Sequence, residues 1–316
     1  MEERIKLGVS KCLIGENVRY DGGHKLDRFI RDTLGQYVDF APVCPEAECG
    51  LGIPREVMQL EGDPESPSLM TIQTRRDLTA RMVPWARRRV RRLEAENLNG
   101  FIFKSRSPSC GMERVKVFNE KGVPTNSGMG IFARIFKGHF PLLPVEDEGR
   151  LHDPRLRENF IEAIFSLKRW RELRRTRPTV GNLVEFHTRN KYLLLSKSRK
   201  HYRAMGKLVA QGKTYKPKAL YSAYETLLLE TLRLKTTIKK NVSVLQHMMG
   251  YFKKHLSPDE KHELLDIISD YHRGLIPLVV PVTLFTHYVR KYGEPYLSMQ
   301  TYLNPHPTAL KLRNHV

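Results

Sequence analysis

The chain has 316 residues, enough for about two domains at roughly 150 residues each, and an apolar share of 40% suits globular cores rather than a disordered chain. Lysine and arginine exceed aspartate and glutamate by 20, which sets aside a charge-neutral metabolic enzyme as the default. No apolar run reaches the ~18–20 residues of a membrane span. The start Met1-Glu2-Glu3-Arg4 lacks the apolar core of a signal sequence, and four cysteines are too few for a disulfide scaffold. The expectation is a cytoplasmic protein with reduced thiols and no membrane partner.

Strands and helices alternate through the first half. Lys6 to Val9 reads as a short strand, Leu26 to Leu34 has helical spacing, and Tyr37 to Val43 is a second strand closed by Pro45. Arg75 to Asn97 reads as a long basic helix, Gly100 to Phe103 as a third strand, and Met129 to Phe136 begins another helix. This alternation predicts a parallel, Rossmann-like α/β sheet in an N-terminal domain. No G-x-G-x-x-G or G-x-x-x-x-G-K-[ST] stretch appears, so nothing points to a nucleotide cofactor.

Pro141 to His152, with two prolines and the acidic run Glu146-Asp147-Glu148, reads as the link to an all-α C-terminal domain. Asp153-Pro154 starts a helix to about Arg175, and Thr179 starts another to about Ser196. A long helical stretch follows Pro217, from Ala219 to His255. Ser257-Pro258-Asp259-Glu260 is a capping box with Gly274 as the stop, and Pro277 to Tyr292 is the last helix, closed by Gly293. No internal repeat is present.

Charge divides at the same place. Residues 1–150 carry 24 basic and 21 acidic side chains, a net of +3, whereas residues 151–316 carry 30 and 13, a net of +17. A basic half joined to a near-neutral one points to a polyanion-binding module. Its cations come in runs: Lys168, Arg169, Arg171, Arg174 and Arg175 around Trp170, then Lys197, Arg199, Lys200 and Arg203 beside Tyr202. Lys239-Lys240, Lys253-Lys254 and the Arg87–Arg92 run extend the pattern. Cations interleaved with aromatics suit RNA, where phosphate contacts give affinity and rings stack on bases. His187, His247, His255 and His262 form no metal set.

The cysteines fall in a pattern. Cys12 follows the first strand, Cys44 ends the second, and Cys110 lies just past the third, each in a Gly/Pro/Ser-rich turn. Sites of open α/β sheets assemble beyond the carboxyl ends of the strands, so the three thiols can converge; three unrelated buried cysteines are the alternative. No C-x-x-C is present, which argues against a zinc finger or a redox pair. Iron–sulfur clusters tolerate distant thiolates, and three of them on a four-iron cluster leave one iron open as a Lewis acid for a soft atom such as sulfur. Cys49, past the strand end, would close such a cluster if it ligated.

Ser10-x-Cys12-Leu13-x-Gly15, then Cys44-Pro45-Glu46 with Gly50-Leu51 and Pro54-Arg55, then Ser107-Pro108-Ser109-Cys110-Gly111, resemble the motifs of the thiouracil desulfidase (TudS) family over about residues 5–145. The helical half, 151–316, resembles the partner domain of long members that act as tRNA 4-thiouridine desulfidases (RudS). The resemblance implies a desulfidase domain over 1–145 and a 4Fe–4S cluster on Cys12, Cys44 and Cys110, with Cys49 an extra thiol. It implies a free iron that takes the thiocarbonyl sulfur, Glu46 as the base that activates water, and a hydroxyl from Ser107, with Ser109 as second choice. The expected substrate is tRNA containing 4-thiouridine, converted to uridine by non-redox hydrolysis. The alternatives are free 4-thiouracil or its nucleotide as substrate, with the helical half serving oligomerisation, and a non-enzymatic RNA-binding protein with a structural cluster. Arg19, Asp21 and His24, in the loop after Cys12, read as solvated residues.

Overall fold

A computed structural model describes residues 4–175 and 177–315. The chain divides into two compact units, Met1–Asp153 and Pro154–Val316.

The first unit is built on a four-stranded parallel sheet. Strand β1 (Ile5–Ser10) lies between β2 (Val38–Val43) and a strand that arrives much later in the chain. After β2 come the short helix α1 (Pro45–Glu48), strands β3 (Met58–Glu61) and β4 (Ser68–Thr71), and helix α2 (Thr79–Ala95). Strand β5 (Gly100–Phe103) then pairs with the free side of β1, in register Val9↔Ile102. The chain leaves again for β6 (Val115–Phe118), β7 (Pro124–Gly128) and helix α3 (Ile131–His139), and returns as β8 (Val145–Asp147). The sheet order is β2-β1-β5-β8, all parallel. The chain reverses its direction of travel across the sheet at β1, where the crevice of an open parallel sheet binds its ligands.

The strands β3, β4, β6 and β7 make a second, mixed sheet, ordered β4-β3-β6-β7, which the sequence reading does not anticipate. Each is four or five residues long, and Met58–Glu61 and Val115–Phe118 show the two-residue alternation of a half-buried strand. The first sheet packs Phe101 and Phe103 against Ala86, Val90, Phe132 and Phe136 of α2 and α3. The second packs Met58, Leu60, Leu69, Val115 and Val117 against Leu78 and Met82.

Three expectations for the first unit change. The Leu26–Leu34 segment forms a π turn at Phe29–Thr33 and a 3-10 turn at Leu34–Gln36 rather than an α-helix. Helix α2 starts at Thr79, because β4 and a tight turn with Arg75 in the left-handed region (φ 54°) occupy the preceding residues. The acidic run is no linker: Glu146 and Asp147 are buried in β8, where Phe103 pairs with Asp147, and burial raises both carboxyl pKa values.

Among the described residues the second unit contains no strand. It runs α4 (Pro154–Arg175), α5 (Val180–Arg189), α6 (Lys191–Lys197), α7 (Arg199–Ala210), α8 (Pro217–Leu232), α9 (Ile238–Met249), α10 (Pro258–Arg273), α11 (Val279–Tyr292) and α12 (Pro295–Ser298). Thr179 caps α5 by accepting from the Asn182 amide at 3.1 Å. The long stretch expected after Pro217 breaks where Thr237 caps a new helix. At Ser257 both capping-box bonds form, and Gly274, at φ 75°, ends α10 in a conformation that disfavours a side chain. The core gathers Leu245, Met248, Phe252, Leu264, Phe285 and Tyr302.

Candidate active site

The turns after β1, β2 and β5 meet at one cavity of about 310 Å3, open to solvent. Its wall includes Cys12, Cys44, Cys110, Glu46, Ser107 and Ser109, and also Ser10, Arg19, Arg55, Lys104, Ser105 and Arg106. The sheet brings these together because β1, β2 and β5 are adjacent and parallel, so all three release their chains at one edge.

Burial raises each of the three thiols: Cys12 is pushed up to about 12, Cys44 is raised, and Cys110 lies well above the usual thiol range. They also act on one another. A charge on Cys44 raises both Cys12 and Cys110, and Cys12 raises Cys110. Ionising all three together would need positive charge among them, which a metal centre would supply. Among the described residues, no group of three His, Cys, Asp or Glu side chains is arranged to hold a metal ion. A four-iron cluster asks for something else, since each thiolate goes to a different iron. The donor set of three thiols and no imidazole fits that group on its chemistry.

Cys49 stands apart. Its Sγ donates to the Glu46 carbonyl at 3.4 Å, and its side chain packs in the core under the second sheet with Met58, Leu78 and Met82. It is not part of the cavity wall, and burial raises its pKa to about 11.

Glu46 sits one residue into α1, two positions from Cys44. Arg55 holds its Oε2: the guanidinium Nε donates at 2.9 Å and a second nitrogen of the fork contacts the same oxygen. Arg55 is itself fixed by the Val18 carbonyl (2.8 Å) and the Gly52 carbonyl (3.0 Å). On the other side Ser109 Oγ donates to Glu46 Oε1 at 2.5 Å, whereas Ser107 Oγ lies 3.5 Å from that atom and 3.0 Å from Ser109 Oγ. Ser109 is thus the nearer hydroxyl. Ser107 Oγ instead accepts from the Cys110 amide at 3.1 Å and shapes the turn.

That turn is clamped from behind by the start of α3. The Ile131 and Phe132 amides donate to the Pro108 and Ser109 carbonyls at 3.1 and 3.0 Å. A Cβ on Gly130 would fall 2.6 Å from the Ser109 carbonyl carbon, so only glycine lets the backbones approach this closely.

Two features of the wall were not singled out from sequence. The Arg55 side chain appears there only as part of a motif, and its hold on Glu46 spans nine residues. Lys104 pairs with Glu148, and Ser105 donates to Glu148 through its amide (2.6 Å) and hydroxyl (2.7 Å). The residue just after β8 therefore braces the loop after β5. Arg19 lines the cavity with Asp21 at 3.4 Å, whereas His24 accepts from the Leu26 amide outside the wall.

The basic residues of the second unit divide by exposure. Lys197 is fully buried, 2.8 Å from Glu162, so it cannot meet a phosphate from that position. Arg169 is also held inside, donating to the Pro305 carbonyl (2.8 Å) and to Ser166 Oγ (2.9 Å). Burial lowers the pKa of Arg171, and Lys168 pairs with Glu172 at 3.3 Å. Trp170 is a core residue, stacked on Tyr224 at 5.1 Å rather than open to a base. Arg174 is exposed and pairs with Glu225 at 2.6 Å; Arg175 is exposed.

Arg199, Lys200 and Arg203 are exposed on α7, on the face opposite the buried Met205, Leu208 and Val209. Lys207 continues that face, and the segment beyond it adds exposed Lys213, Tyr215, Lys216 and Lys218, which lie outside the basic runs of the sequence. His187 stacks on Tyr202 at 5.0 Å and meets the Tyr224 hydroxyl at 3.0 Å.

Comparison with known proteins bears on both units. Residues 7–148 match the model of the 2-thiouracil desulfurase family. Residues 191–307 match a family of unknown function, DUF1722. A curated relative from Escherichia coli strain K12, the uncharacterized protein YbgA, is 29% identical over 161 residues, 51% of this chain and 95% of its own. A solved structure of a 4Fe–4S-dependent thiouracil desulfidase, TudS, is 29% identical and aligns over 48% of this chain and 95% of its own, at a TM-score of 0.39. Among the described residues no helix is long and apolar enough to cross a membrane.

Proposed function

We propose that the first unit exchanges the sulfur of a thiolated uracil for the oxygen of water, and that the substrate is tRNA carrying 4-thiouridine, held by the second unit. One observation carries the reading: Cys12, Cys44, Cys110 and Glu46 meet at one cavity, within the stretch that matches the desulfurase family. A four-iron cluster on the three thiolates would supply, when bound, an iron without a protein ligand, a Lewis acid for the soft thiocarbonyl sulfur. Glu46 is the general base. Arg55 fixes Oε2, which leaves Oε1, beside Ser109 Oγ, as the atom that takes the proton of the attacking water. Replacing C=S by C=O with water moves no electrons, and sulfur leaves as sulfide, so no reductant is consumed.

The exposed cations of α7 and the Lys213–Lys218 segment support RNA as the larger partner, because phosphate contacts supply sequence-independent affinity. The cavity is open to solvent and so is also accessible to a free thiolated base. The test is anaerobic reconstitution with iron and sulfide, followed by turnover of 4-thiouridine-containing tRNA and of 4-thiouridine monophosphate. Wild-type protein should convert both, and tRNA with the higher kcat/KM. Changing Arg199, Arg203, Lys207 and Lys216 together to glutamine should cut tRNA binding and flatten its salt dependence by about 3 in log–log slope, at roughly 0.7–0.9 per phosphate contact. An unchanged tRNA affinity would move the substrate to the free nucleotide.

A further inference from the structure

Beside the thiol cavity lies a second, larger concavity of about 580 Å3, which none of the assignments above uses. The two share Met58, Arg106 and Pro108, so they form one continuous depression. Arg106, Arg114 and Lys116 bring three cations to the second part, and none of its lining residues is acidic. All three are exposed, and among the described residues no carboxylate is within ion-pair distance of them. This contrasts with the wall of the thiol cavity, where Arg55 and Lys104 are each committed to a glutamate. Arg106 and Arg114 also hold left-handed backbones, at φ 57° and 53°, which residues with a side chain seldom adopt. Ile72 and Phe118 give this groove an apolar side, and Asn126 adds a neutral hydrogen-bonding group.

We infer that this groove binds the phosphate attached to the substrate nucleoside, so that the first unit recognises a nucleotide and not a bare base. The inference rests on the desulfidase reading for the identity of the base. A uracil ring placed among the thiols leaves its ribose at the shared edge, Met58, Arg106 and Pro108, and its phosphate among Arg106, Arg114 and Lys116. Arginine forks match phosphate oxygens in pairs, and unpaired cations give up no existing ion pair on binding. The phosphate can be the monoester of a free nucleotide or the diester of an RNA strand, and the chemistry recognised is the same.

The test is equilibrium binding to the full chain, measured by calorimetry, with uridine, uridine 5′-monophosphate and a uridine trinucleotide at two salt concentrations. Wild-type protein should bind the phosphorylated probes at least ten-fold more tightly than uridine, with a margin that shrinks at high salt. Arg106→Gln, Arg114→Gln and Lys116→Gln combined should reduce that margin to two-fold or less. Lys121→Gln, on the turn between β6 and β7 and outside the groove, should leave it unchanged. A margin for the monophosphate assigns the monoester as sufficient; a margin for the trinucleotide alone assigns the diester. No margin in the wild type, or a margin that survives the triple substitution, overturns the inference. Binding is read without turnover, so a charge-dependent margin in a protein that converts no thiolated substrate would leave the groove standing and remove the desulfidase reading. The reverse pair of results would remove only the groove.

Discussion

Two groups of nearly buried ion pairs, one in each unit, differ in what they enclose. In the first unit Glu46 and Arg55 are 13% and 5% exposed, and they form part of a cavity wall with three thiols. In the second, Glu162 lies between Lys197 at 2.8 Å and Arg313 at 3.0 Å, with Glu158 3.2 Å from Arg313. Arg313 also donates to the Tyr302 carbonyl at 2.7 Å, so the C-terminal segment seals this cluster over α4 and α6. Burial opposes the charge of Glu162, but the two cations hold its carboxyl below the usual range. Pairing and burial alone therefore do not mark a reactive site. What separates them is that Glu46 lines a cavity beside three thiols, whereas Glu162 is closed between Lys197 and Arg313.

Breaking each cluster should expose that difference. The largest effect belongs to the thiols: serine at Cys12, Cys44 or Cys110 should abolish iron loading after reconstitution, whereas Cys49→Ser should keep it. Iron and acid-labile sulfide analysis checks this, and loss of iron in Cys49→Ser would place that thiol among the ligands. Next come the two glutamates, which should fail in opposite ways. Glu162→Ala leaves the buried Lys197 without its carboxylate and Arg313 with Glu158 alone, and should cost about 3–5 kcal/mol in denaturant unfolding of the second unit. Glu46→Gln should keep iron and stability but lower kcat by roughly 10²–10⁴-fold, the usual range for general-base catalysis. If Glu46→Gln unfolds the protein instead, the open cluster is structural after all.

The smallest effect is a pH dependence confined to the second unit. Burial lowers the His187 pKa to about 4, so between about 6.5 and 4 the folded state keeps it neutral while the unfolded chain takes up a proton. Stability should fall as pH drops through that window, and His187→Gln should flatten the loss in urea midpoints read at pH 7 and pH 5. An unaltered slope in the variant would transfer the effect to another buried group.

What the sequence made legible followed from local pattern. Cys12, Cys44 and Cys110 could be placed at strand ends because β1, β2 and β5 are short apolar runs that stop at proline, serine or glycine. The second sheet was not legible because four-residue strands such as Met58–Glu61 carry too few alternations to separate from loop, and they pair only over long distances. For the same reason the acidic run at Glu146 passes for a linker: the bonds of Glu148 to Lys104 and Ser105 form only once β8 joins β5. Charge counting located the basic half but could not assign sides. Lys197 and Lys200 are three residues apart in one basic run, yet the first points into the core and the second into solvent.

The second sheet enters the chain as two insertions, one between β2 and β5 and one between β5 and β8. The parallel sheet that delivers the thiols and the hairpins that wall the groove are therefore separate stretches of chain. Grafting other hairpins at 56–72 and 113–128 would replace Arg114 and Lys116 while keeping the chain that carries Cys12, Cys44, Cys110 and Glu46, with Met58, Arg106 and Pro108 as the seam that any graft has to match.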